Sequence, residues 1–128
     1  MHWNIKESDL CVMANLPSKE SIELIPYRYD QEIIVEVIEQ LQKDILLSGG
    51  ALEIPEQAYH DIILLKQVIT DFVNQVSVTN AQLLFNLFYR VDIPQKIVVD
   101  VPEEMAELLL KRELLKVLTR RFYGKQKS

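Results

Sequence analysis

Ala81-Gln82-Leu83-Leu84-Phe85-Asn86-Leu87-Phe88-Tyr89-Arg90-Val91, closed by Asp92-Ile93-Pro94, is the stretch whose reading decides the fold. Wound at 3.6 residues per turn, it places Leu84, Phe85, Phe88 and Val91 on one face and Leu83 and Leu87 on the next. Only a narrow polar strip is left. A helix apolar nearly all round belongs in an interior, so this segment is expected to be the central helix of an all-α protein, wrapped by the others.

The punctuation around it supports that reading. Thr79 and Gln82 have the Thr-x-x-Gln spacing of a capping box, which makes residues 76–80 a turn and Thr79 the start of the central helix. Asp92-Ile93-Pro94-Gln95 and Asp100-Val101-Pro102-Glu103 each join an acidic N-cap to a proline and a following Gln or Glu. They predict a short connecting helix from Ile93 to Val98 and a long final helix from Pro102 to Tyr123. In that last helix Met105, Leu108, Leu109, Leu115, Leu118 and Phe122 share one side, and Leu110, Leu114 and Val117 another. Two apolar sides call for two neighbours, within the chain or across a dimer interface.

Upstream, Ala58, Ile62, Leu65, Ile69, Phe72 and Val76 repeat at intervals of four and three, the seam of a bundle helix. That helix is expected to open at Glu53-Ile54-Pro55-Glu56, with Pro55 in its first turn, and to end near Val76. Before it, Asp30 is the N-cap of a helix over Gln31–Leu47, and Ser48-Gly49-Gly50 is the stop. Ile34, Val37, Ile38, Leu41 and Ile45 form its buried stripe, while Glu32, Glu36, Glu39 and Gln40 form a solvated polar side. Residues 1–29 read as an arm with a short helix from Pro17-Ser18 to Pro26, pinned to the core by Trp3.

The chain has 128 residues, enough for one domain around one core. Its formal charge of −5 conceals an asymmetry. From Lys111 onward seven Lys or Arg face the single acid Glu113, a local balance of about +6, so the preceding body carries about −11. Cys11 is the only cysteine, which excludes an intramolecular disulfide and fits a cytoplasmic location. Neither a signal-peptide pattern at the N-terminus nor a run of about 18 apolar residues is present, so no membrane association is expected.

Catalytic groups are scarce. His2 and His60 are the only imidazoles, and Glu56 with His60 makes one i,i+4 pair on a surface rather than a metal site. No catalytic residue, cofactor or metal is assigned. Two candidates for binding remain. Arg112, Lys116 and Arg120 form a line along the last helix, joined by Arg121 and the tail, and suit an acidic partner or a phosphate backbone. Helix-terminal charge balance and surface pairs such as Glu107–Lys111 and Glu113–Lys116 are the structural alternative. Arg90, with Asp92 close by, is either an anion anchor or half of a structural ion pair.

Three blocks carry a resemblance: Thr70-Asp71-Phe72, Leu84 to Pro94, and Leu108-Leu109-Leu110-Lys111-Arg112-Glu113-Leu114-Leu115-Lys116 with Arg120-Arg121. Together they are similar to small uncharacterised bacterial helical proteins. The resemblance implies a helical fold and a bacterial origin, and assigns no role to any residue.

The sequence therefore predicts a single helical domain over 1–128: an arm over 1–29, a compact bundle of four main helices, a short connecting helix and a basic tail at 124–128. Its expected role is a non-catalytic protein-interaction module that binds a protein partner or itself. Nucleic-acid binding through the basic end is the alternative, and a small-molecule or enzymatic pocket comes third.

Overall fold

Asp30 begins the bundle as its sequence requires, accepting the backbone N–H of Ile33 at 3.2 Å in extended conformation. The computed structural model describes residues 22–91, 93 and 101–127. Four α-helices carry them: α1 (Gln31–Leu47), α2 (Ile62–Thr79), α3 (Ala81–Arg90) and α4 (Pro102–Lys127). Short 3₁₀ turns occupy Ile25–Tyr27 and Glu56–Tyr59, and no strand occurs among the described residues. The fold is an all-α bundle. Trp3, Cys11, the start of the arm helix, Pro94 and the connecting helix beyond Ile93 lie outside the described residues, whereas residues 22–24 are not helical and Pro26 lies within the 3₁₀ turn instead of closing a helix, as a proline is well placed in a first turn.

The α1 stop is a Schellman motif. Gly49 N–H bonds to Leu46 O and Gly50 N–H to Ile45 O, with Gly49 at φ +106°, a region where a side chain would be strained. Gly50 serves a different need, because a Cβ there would stand 2.4 Å from Leu83 Cδ1. The chain can thus pass close under α3.

The centre of the bundle is α4, not the helix over residues 81–90. α4 packs most extensively on α2 and next on α1. Ala106, Leu109, Leu110, Leu114 and Val117 are fully buried there, against Ile34, Val37, Ile38, Leu41 and Ile45 of α1 and Ile62, Leu65 and Ile69 of α2. Both neighbours demanded by the two-sided pattern of α4 lie within the chain. Of its two sides, Leu110, Leu114 and Val117 form the deep one, whereas Met105, Leu108, Leu115 and Leu118 are half-buried margins.

By contrast, α3 is peripheral. Leu83, Leu84 and Leu87 are buried, but Phe85 is 53% exposed, Tyr89 76% exposed and Phe88 only partly covered. The physical reason is length and composition: ten residues offer too little surface to be enclosed on all sides, and the 26-residue α4 buries more.

Boundaries near α2 also differ from expectation. The seam from Ala58 to Val76 is buried throughout, yet the helix does not start at Pro55. Pro55 is extended at ψ 152° and leads into the 3₁₀ turn, His60 ends that turn, and Asp61 caps a new helix by accepting from Ile63 N–H at 3.0 Å. Asp61 also receives Arg28 Nε and Nη2 at 3.0 and 3.2 Å, and these bonds hold its carboxyl below the usual range. Replacing Asp61 with Ala should cost about 0.5 to 2 kcal/mol, the span for a lost N-cap. Chemical denaturation of the two proteins checks it, and unchanged stability would mean the cap is dispensable.

At the other end α2 continues to Thr79, so Thr79 does not cap α3. Asn80 does, accepting Leu83 N–H through its side chain at 3.2 Å, and Gln82 instead donates to Asn86. Pro102 is the first residue of α4, as its sequence indicates, although that helix runs past Tyr123 to Lys127.

Candidate functional site

Phe85 and Tyr89 stand one helical turn apart on α3, the side that the packing of Leu83, Leu84 and Leu87 turns outward. Beside them the C-terminal turn of α1 exposes Leu46 at 67% and Leu47 at 53%. Between the two elements lies a cleft of about 440 Å³ lined by Leu47, Ser48, Asn86, Tyr89 and Arg90. Its walls are fixed by features already described: the Schellman stop sets the end of α1, and the approach of Gly50 to Leu83 sets α3 against it. The result is an apolar and aromatic face with one cation, Arg90, exposed at its rim. Asp92, the expected partner of Arg90, lies outside the described residues.

The basic line on the last helix has a different setting. Lys116 and Arg120 reach side chains of α1, Arg120 while exposed, and Arg112 turns instead to the end of α3. Arg112 is buried and donates from Nε to Val91 O at 3.2 Å. Lys116 Nζ stands 2.9 Å from Asp44 Oδ2, and Arg120 bonds to the side-chain oxygen of Gln40. Arg121 donates from Nε to Glu36 Oε2 at 2.9 Å and reaches Glu32 at 3.7 Å, and the Glu36 bond raises the affinity of its guanidinium for its proton. On the polar side of α1, Glu32 and Glu39 are solvated as expected, while Glu36 and Gln40 meet the basic end of α4.

Asp44 and Glu113 are the two site residues that spacing could have disclosed. In α1 Asp44 follows Leu41 by three, and in α4 Glu113 sits between Leu110 and Val117 at three and four. Both fall on apolar stripes. Asp44 is 3% exposed and Glu113 0%. Glu113 is therefore no surface partner of Lys116, whereas Glu107 and Lys111 do form the expected pair at 3.1 Å. Glu107 also receives Lys66 of α2 at 2.9 Å.

A second groove, of about 560 Å³, runs over this seam between Gln40, Val91, Arg112, Leu115, Lys116, Thr119 and Arg120, and so brings together three of the four basic candidates. Neither buried acid lines it or the first cleft. Among the described residues no group of three His, Cys, Asp or Glu could hold a metal ion. His60 is exposed, and its Nδ1 lies 2.6 Å from Gln31 Nε2. Among the described residues no helix is long and apolar enough to cross a membrane. Compared with family models, with curated proteins and with solved structures, the chain finds no match.

Proposed function

We propose that the chain is a non-catalytic, cytoplasmic protein-interaction module that docks a partner on the face formed by Phe85, Tyr89, Leu46 and Leu47. The observation that carries this reading is the exposure of two aromatic rings one turn apart, 53% and 76%, beside two exposed leucines. Leu47 and Tyr89 line one cleft with Arg90, and exposed apolar and aromatic side chains with Arg are what protein interfaces use as anchors. The partner is an apolar surface or helix carrying a carboxylate opposite Arg90, because Arg90 is the charge at the rim.

The nucleic-acid alternative has less support. Binding a phosphate backbone requires cations free to displace counterions. Here Lys116 is engaged by Asp44, Arg121 by Glu36 and Glu32, and Arg112 is buried, so Arg120, bonded to neutral Gln40, is the exposed cation of the line.

A photoreactive residue at Tyr89 of the full chain, expressed in its source cells, tests the proposal. Irradiation should give a defined protein adduct that Phe85→Ser reduces at least fivefold and that the same probe at exposed Glu104, outside the cleft, does not form. An adduct of twice the chain mass would identify the partner as a second copy. Identical adducts from both positions, or none, would overturn the reading.

A further inference from the structure

The polar groups buried between α1 and α4 do not balance as ordinary ions. Glu113 has no exposed surface, and neither of its carboxyl oxygens meets a hydrogen-bond donor. Lys116 Nζ is 3.6 Å from Glu113 Oε1, too far for a hydrogen bond, and bonds instead to Asp44 Oδ2 at 2.9 Å. Gln40 Nε2 donates to that same Asp44 oxygen at 3.2 Å. If all three were ionised, two buried carboxylates would share one partly exposed ammonium, leaving one negative charge uncompensated and one side chain without a donor. Such an arrangement is costly to bury.

One proton removes the surplus charge and gives Glu113 a partner. Protonated Glu113 donates from one oxygen to the Asp44 carboxylate, its other oxygen still meets no donor, and the remaining negative charge faces Lys116 and Gln40. Of the other charged groups nearby, Arg120 bonds to the Gln40 side-chain oxygen and so stands one amide away from Asp44, and the rest are placed elsewhere. Arg112, next in sequence, bonds to Val91 O; Glu36 of α1 pairs with Arg121; Lys66, which α2 turns toward α4, is held by Glu107 and Glu103, six and ten residues before Glu113. Arg90 of α3 lines the other cleft.

We propose that Asp44, Glu113 and Lys116 form a proton latch between α1 and α4, closed while the two carboxyls share one proton and loosened on the C-terminal half of α4 when that proton is lost. The titration of the groups agrees with the geometry. Burial first, then the Asp44 carboxylate, push Glu113 up to about 9. Burial also works to raise Asp44, but hydrogen bonds from Glu113, Lys116 and Gln40 hold it below its ordinary value.

The direction of the pH effect follows. Glu113 binds its proton more tightly folded than unfolded, so its contribution is fully present below the unfolded value of 4.5 and is lost as pH rises toward about 9. Within that window the unfolding equilibrium constant should rise by up to about tenfold per pH unit from this group. Glu113→Gln keeps a donor for Asp44 but has no proton to lose. Urea unfolding of parent and variant between pH 5 and 9 should give a steep slope for the parent and a slope lower by close to one proton for Glu113→Gln. Amide exchange over residues 113–121, corrected for intrinsic rate, should accelerate above pH 8 in the parent alone.

Equal slopes in the two proteins would overturn the latch. If Glu113→Gln fails to fold, the carboxyl carbon shift of Glu113 in the parent decides: a midpoint above pH 7 supports the latch, and one near 4.5 removes it.

Discussion

Leu110→Ala is expected to destabilise the protein by about 2 to 5 kcal/mol, the range for emptying a fully buried leucine site. Leu110 has no exposed surface and sits on the side of α4 that meets the rest of the core. Truncation removes core contacts, and a close-packed interior recovers only part of the lost volume. Because small domains are stable by only about 5 to 15 kcal/mol, the variant should show a large fall in urea midpoint with an unchanged slope. Phe85→Ala in α3 is the informative comparison. At 53% exposure it should cost less than about 1 kcal/mol, despite the larger side chain. The reverse ranking would restore the 81–90 helix to the centre.

Lys116→Met should cost about 2 to 4 kcal/mol at pH 7, somewhat less than the cost of breaking a fully buried pair because the lysine is one-third exposed. The methionine fills the same space, so the loss reports the Asp44 carboxylate left with 3% exposure and without its ammonium. Two checks separate this from a packing defect. Asp44 is held below its ordinary value of 3.8, so its contribution is present above that value and disappears as pH falls through the folded one. The difference between parent and variant should therefore narrow in acid. Adding Asp44→Asn to Lys116→Met should recover much of the loss, since the charge that needed a partner is gone. A double variant no more stable than the single one would show that packing was at fault.

How far the residues disclosed this molecule differs from element to element. α1 was legible to its ends, because Asp30 and Ser48-Gly49-Gly50 are local signals that act through the backbone of their own helix. The α2 seam was legible for the same reason, as a period of four and three survives even where His60 and Asp61 interrupt the helix. Relative burial was not, since it depends on which of two apolar helices encloses the other. The aromatic density of residues 84–91 pointed to α3, while the length of α4 decided it. The exposed Phe85–Tyr89 face was lost in that same error. Spacing places the basic residues along α4, but the acids that meet Lys116 and Arg121 come from α1, 72 and 85 residues away in sequence. Asp44 and Glu113 were hidden by habit rather than by physics: their positions mark them as core, and their charge suggested surface.

Asn80 both ends α2 and begins α3, with its N–H on Val76 O and its side chain on Leu83 N–H. A joint of one residue has no slack, so the azimuth of α3 is geared to that of α2. One residue inserted there would turn every α3 side chain by about 100° relative to the bundle. Leu83, Leu84 and Leu87 could no longer all face inward, and Phe85 and Tyr89 could not keep their present bearing. Length at position 80, more than the identity of any aromatic residue, is what aims the exposed face.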